Sequence, residues 1–231
     1  MLTIRCLFAC FLLSIGCSSY AQSVSPVIVE YREKAEGRLA LTNNTLLPMT
    51  VLLEPRSFSI NADGNGVFRS LDREIHVQLS NVSFRINPGQ TYYVFYKANA
   101  DKLPAWFTIY STFSAVKRVS DLDVRILLPH TVYIYPKKPK SKDEGIEVKQ
   151  AAYSRETGKI VCEIANRSDD LERVEEIRVA SDSKSIAAPG FPLLPGAQRH
   201  VEVDWKETDI PQKLELRMDR STVKLKLGMD N

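Results

Sequence analysis

The stretch Val124-Arg125-Ile126-Leu127-Leu128-Pro129-His130-Thr131-Val132-Tyr133-Ile134-Tyr135-Pro136 carries apolar side chains at alternate positions. Val124, Ile126, Leu128, Val132 and Ile134 fall on the even side, interrupted at His130, while Leu127, Tyr133 and Tyr135 make the odd side apolar in places. Period two marks a β-strand, because successive side chains leave the backbone on opposite faces. A run of about a dozen residues outlasts the usual five or six. Its surplus must pair at a sheet edge or be protected, since an exposed apolar edge recruits other chains. The pattern predicts an edge strand able to add to another protein's sheet, main-chain bonds giving affinity and alternate side chains filling pockets.

Working outward, similar alternations recur at residues 38–42, 50–54, 83–86, 92–96 and 107–113, separated by Gly, Pro, Asn and Asp. Strands at this spacing predict an all-β sandwich, and twelve prolines argue against long helices. Residues 169–176 hold the one helix-like stretch and read as loop. A weak internal repeat sets the domain count. Gly37-Arg38-Leu39-Ala40-Leu41-Thr42-Asn43 is echoed by Gly158-Lys159-Ile160-Val161-Cys162-Glu163-Ile164-Ala165-Asn166, and Ile86-Asn87-Pro88-Gly89-Gln90 by Leu194-Pro195-Gly196-Ala197-Gln198. In each half a strand ends at Asn, and later a Pro-Gly turn reverses the chain into another strand. Residues 137–143 have linker composition. Two sandwich domains are expected, residues 22–136 and a smaller one at 144–231.

The N-terminus has the form of a secretory signal over residues 1–21: one base, Arg5, no acid, an apolar run over residues 7–15, and small residues up to Ala21. Cleavage before Gln22 is expected, with export of the chain. The alternative start is a lipidated Cys17, with Ser14 where a lipobox carries Leu. No later segment is long and apolar enough to span a membrane. The signal also contains Cys6 and Cys10, so Cys162 is left alone and reads as a buried small hydrophobe. The net charge of +3, with 31 basic and 28 acidic residues interleaved, implies no nucleic acid.

Chemistry-bearing motifs are scarce. His76, His130 and His200 lie far apart, no HxH, HExxH or CxxC spacing occurs, and neither metal nor cofactor is expected. No nucleophile elbow or phosphate loop appears, so an enzyme is not expected. Asn61-Ala62-Asp63-Gly64-Asn65-Gly66, with Asp72 further on, mimics a calcium loop. Asn61 replaces its leading carboxylate and Arg69 intrudes, and the alternative is an Asn/Gly-rich connection. The Asn-x-Ser/Thr triplets at Asn43, Asn81 and Asn166 are frequent enough by chance to carry no meaning alone.

The order of these pieces resembles the PapD-like periplasmic chaperones of the chaperone–usher pathway, as a divergent member. The resemblance rests on the early strand ending at Asn43, Pro48-Met49-Thr50-Val51, Asn87-Pro88-Gly89-Gln90, Lys102-Leu103-Pro104, the apolar strand at 106–113 and the closing Tyr133-Ile134-Tyr135-Pro136. It implies two immunoglobulin-like sandwiches in an L-shaped arrangement. It also implies an ATP-independent periplasmic chaperone that caps secreted β-rich pilus subunits by lending its last first-domain strand, before handover to an outer-membrane usher. Val124, Ile126, Leu128, Val132 and Ile134 would form the lending face, or half of them would only fill the domain's own core. The family's basic pair for the subunit's terminal carboxylate would fall near Ile28 and Thr131, and neither is basic. Arg32 or Arg125 would serve only after a register shift. The alternative function is a cell-envelope scaffold or adhesive binding protein of the same architecture, favoured by a lipid anchor at Cys17.

Overall fold

The computed structural model describes residues 21–115, 125–138, 145–219 and 221–230. Among them every regular element is a strand. The first ten are β1 (Gln22–Ser25), β2 (Ile28–Arg32), β3 (Ala35–Asn43), β4 (Met49–Ile60), β5 (Gly66–Ser70), β6 (Ile75–Leu79), β7 (Ser83–Ile86), β8 (Thr91–Ala100), β9 (Ala105–Ala115) and β10 (Arg125–Tyr135). Eight more follow: β11 (Ile146–Ser154), β12 (Lys159–Asn166), β13 (Glu172–Ala180), β14 (Ser185–Leu193), β15 (Gln198–Asp204), β16 (Lys213–Met218), β17 (Thr222–Lys226) and β18 (Gly228–Asp230). Residues 169–176 form no helix; their second half belongs to β13.

The first ten strands build one sandwich, with sheets ordered β1-β3-β8-β6 and β2-β10-β9-β4-β5, β7 also pairing with β4. The last eight build a second, with sheets β15-β12-β11-β18 and β14-β13-β16-β17. Alternation fills each interior. Leu39, Leu41, Val51, Val94, Phe107 and Ile109 lie in the first core, and Ile164, Val174, Val179, Leu214 and Leu216 in the second. Cys162 is buried there, and the loss of water pushes its thiol up to about 11, so the packing role fits.

The repeat seen in the sequence is one corner built twice. Asn43 is fully buried; its amide donates to the Leu47 and Ile86 carbonyls, and its Oδ1 accepts from the Thr45 N–H and hydroxyl. Asn166, equally buried, donates to the Asp170 and Leu193 carbonyls and accepts from the Ser168 N–H and hydroxyl. The Pro-Gly turns close both corners: the Asn43 N–H bonds the Gln90 carbonyl and that of Asn166 the Ala197 carbonyl, with Gly89 and Gly196 both at φ +71°. Two of the three Asn-x-Ser/Thr triplets are thus side-chain turns with no exposed amide, a requirement of buried polar groups.

The sandwiches meet through an apolar cluster of Phe58, Tyr133, Leu171 and Leu194, flanked by Trp106 and Ala197. Arg173 of the second pairs with Glu30 of the first at 2.7 Å. The His200 N–H also donates to the Ala62 carbonyl at 2.8 Å, so the β4–β5 turn rests on β15.

Candidate functional site

β10 pairs antiparallel with β9 from Arg125 opposite Ser114 to Ile134 opposite Ala105. On its other side β2 runs parallel, but only residues 131–135 find partners, in residues 28–32. Among the described residues no strand pairs with that side of β10 at residues 126–130. The strand position beside β10 is therefore half filled.

The even side chains of β10 face the core, opposite Phe113, Ser111, Ile109 and Phe107 of β9. Val132 and Ile134 are fully buried, fill the protein's own core, and have β2 along their edge. Ile126 and Leu128 are half-buried and pack against the open end of that core. Val124 lies outside the described residues. On the odd side Leu127 is 54% exposed, whereas Tyr133 is covered by the second sandwich.

His130 does not interrupt the inward face; it belongs to it and is fully buried. Its Nδ1 lies 2.6 Å from the Pro26 carbonyl, which can only accept, so Nδ1 carries the proton. Burial lowers the pKa of the imidazole, leaving it neutral and Nε2 free to accept from the Tyr96 hydroxyl at 3.1 Å. Tyr96 in turn accepts from Tyr31 at 3.0 Å. This chain ties Tyr31 of β2, and Pro26 just before that strand, to β10 and β8. The sequence carried a usable signal, since His130 shares the parity of Ile126 and Val132, but polarity argued against an inward position.

Ile28 and Thr131 lie directly opposite each other across β2 and β10. The two positions expected to hold a basic pair are thus neighbours, and both are uncharged. Arg32 sits at the far end of β2, opposite Tyr135, and its guanidinium donates to the Pro136 carbonyl at 3.4 Å. Arg125 is six residues from Thr131, roughly 20 Å along the strand at about 3.4 Å per residue. Arg56 shares the Thr108–Thr131 row but is held by Glu54 at 2.8 Å. Among the described residues, the cleft between the sandwiches is lined by the carboxylates of Glu30, Asp170, Glu172, Glu175 and Asp219 and the guanidiniums of Arg32 and Arg173.

The calcium-like loop is a hairpin turn. Asn61 Oδ1 accepts from the Asn65 N–H at 2.7 Å, and Asp72, beyond the far end of β5, is bound by Arg69. The two oxygens are thus separated by a strand and do not converge on one ion. Exposed His76 and His200 lie beside Asp101 and Glu202, far from His130 in the fold. Among the described residues no three His, Cys, Asp or Glu side chains cluster to hold a metal, and no helix is long and apolar enough to cross a membrane.

No family profile and no curated protein matches its sequence. Solved structures do. The YadV chaperone aligns over 88% of this chain and 99% of its own, with TM-score 0.56 and 9% identity. The Class 5 fimbriae chaperone CfaA aligns over 90% and 99%, with TM-score 0.52 and 10% identity. The SafB chaperone of Salmonella enterica, solved with the SafA pilin, gives 92% and 99%, TM-score 0.50 and 14% identity. The chain has the PapD-like chaperone fold. Alignment over nearly the whole of each chaperone means that both sandwiches of the PapD-like fold, and not one alone, are present.

Proposed function

We propose that this protein is an ATP-independent periplasmic chaperone for exported, β-rich pilus subunits. It caps a subunit by lending the open edge of β10 and passes it to an outer-membrane usher. The observation that carries the reading is the half-filled strand position beside β10, backed by the half-buried Ile126 and Leu128 at an open end of the core. A subunit strand placed there gains backbone bonds and covers both side chains. Val132 and Ile134 would contribute only by holding β10 in place, since they are enclosed in their own sandwich. With Ile28 and Thr131 uncharged, holding rests on the ladder and on apolar burial rather than on a carboxylate anchor.

The test is co-expression of the full chain in a periplasm with the small secreted proteins encoded beside it. A 1:1 complex is expected by gel filtration and mass measurement, lost in Ile126→Asp and Leu128→Asp variants that retain the wild-type circular dichroism spectrum. A folded wild-type protein that captures no subunit would sink the chaperone reading in favour of an envelope scaffold.

A further inference from the structure

The backbone of β10 sets what can be added to it. The Thr131 N–H donates to the Val27 carbonyl, and the Tyr135 carbonyl accepts from the Glu33 N–H, so odd residues turn their backbone groups toward the β2 side. By the two-residue period Leu127 and Pro129 face the same way, in the part of the edge that β2 leaves open. Leu127 offers one N–H and one C=O. Pro129 offers a C=O only, because proline has no amide hydrogen. The missing donor falls at the junction between the open and the filled halves of the strand position. Just past it the backbone is already used: Pro26 by His130, Val27 by Thr131.

We propose that Pro129 is a ladder stop built into the lending edge. This rests on the strand-lending reading. A subunit strand pairs with the N–H and C=O of Leu127 and with the C=O of Pro129, and finds no donor beyond. A shift that brings another subunit carbonyl opposite Pro129 buries it without a partner, which fixes the register. The same missing bond leaves the end beside β2 the weakest part of the ladder, where release begins. Proline on a strand edge also discourages unwanted pairing, so one residue guards the empty edge and limits the filled one.

The test is residue-resolved amide exchange together with subunit release. In the isolated protein the Leu127 amide should exchange at least about tenfold faster than those of Ile126 and Leu128, which face β9. An equally protected Leu127 overturns the open edge. In the complex with the co-expressed subunit, Leu127 becomes protected, and a complex in which it stays unprotected overturns pairing at this site while leaving capture intact. Pro129→Ala supplies the missing donor and should slow release in a chase experiment by about five- to tenfold, the worth of one hydrogen bond. Unchanged release from a folded variant overturns the stop. Should Pro129→Ala self-associate, Leu127→Pro serves instead: it removes an N–H from the open side without touching the β9 ladder, and release should quicken about tenfold. Unchanged release there overturns the ladder. Failure of the wild type to form any complex overturns the strand-lending reading itself, and the stop with it.

Discussion

His130 shows how one buried polar residue joins three elements. It takes its place in an apolar row because both ring nitrogens are satisfied, Nδ1 by Pro26 and Nε2 by Tyr96. The arrangement requires a neutral ring, and burial holds its folded pKa below the ordinary 6.5. The unfolded chain then binds the His130 proton more readily, so stability falls as the pH drops below about 6.5 toward the lower folded value. We expect the urea midpoint to decline from about pH 7 to about pH 5, and His130→Gln to flatten that decline relative to the wild type. His76 and His200 are common to both proteins and cancel in the difference. Equal slopes would remove His130 from the account. Asn43 and Asn166 work on the same principle at the corners, each saturating its amide with backbone partners inside an otherwise apolar interior.

At the scale of the element, β10 is one strand with two environments. From Thr131 onward it is a central strand, with β2 and β9 on its sides and a second sandwich on its outer face. Before Thr131 it is an edge among the described residues, and Ile126 and Leu128 pack against the core only half-buried. The two halves should answer differently to the same truncation. Ile134→Ala should cost about 2–5 kcal/mol, the range for a fully buried aliphatic side chain, while Ile126→Ala should cost clearly less and weaken subunit capture instead. Chemical denaturation of the two variants, beside the capture assay, checks the contrast. Equal losses of stability would mean that the strand is uniformly structural. The alternation was legible in the sequence because it is local to the strand. That about half of the five apolar side chains could belong to the core was legible too, but which ones was not, because burial depends on where β2 begins along the strand.

For the whole molecule, the question is what holds the two sandwiches against each other. Phe58, Tyr133, Leu171 and Leu194 supply the apolar contact, Arg173 and Glu30 an exposed ion pair worth little by itself, and the β4–β5 turn a third attachment. At that turn Gly64 has φ +88°, and the Arg199 guanidinium, stacked over Phe191, occupies the space a Cβ would need. Gly64→Val is therefore strained in its backbone and displaces Arg199. We expect calorimetry to show a single transition for the wild type and two separated ones for Gly64→Val, as the sandwiches lose their coupling. A single, unshifted transition in the variant would show that the apolar cluster suffices alone.

By itself the sequence determined the all-β class, the two sandwiches, the Asn and Pro-Gly corners and the unusual length of the strand ending at Tyr135-Pro136. These follow from side-chain period and turn chemistry, which act between residues close in the chain. The adjacency of Ile28 and Thr131, the inward place of His130, the docking of the 61–65 turn on β15 and the open stretch at residues 126–130 were decided only by the tertiary structure. The first three join residues tens to more than a hundred positions apart, the last depends on where such a partner begins, and no local preference records which backbone edge a distant strand will fill.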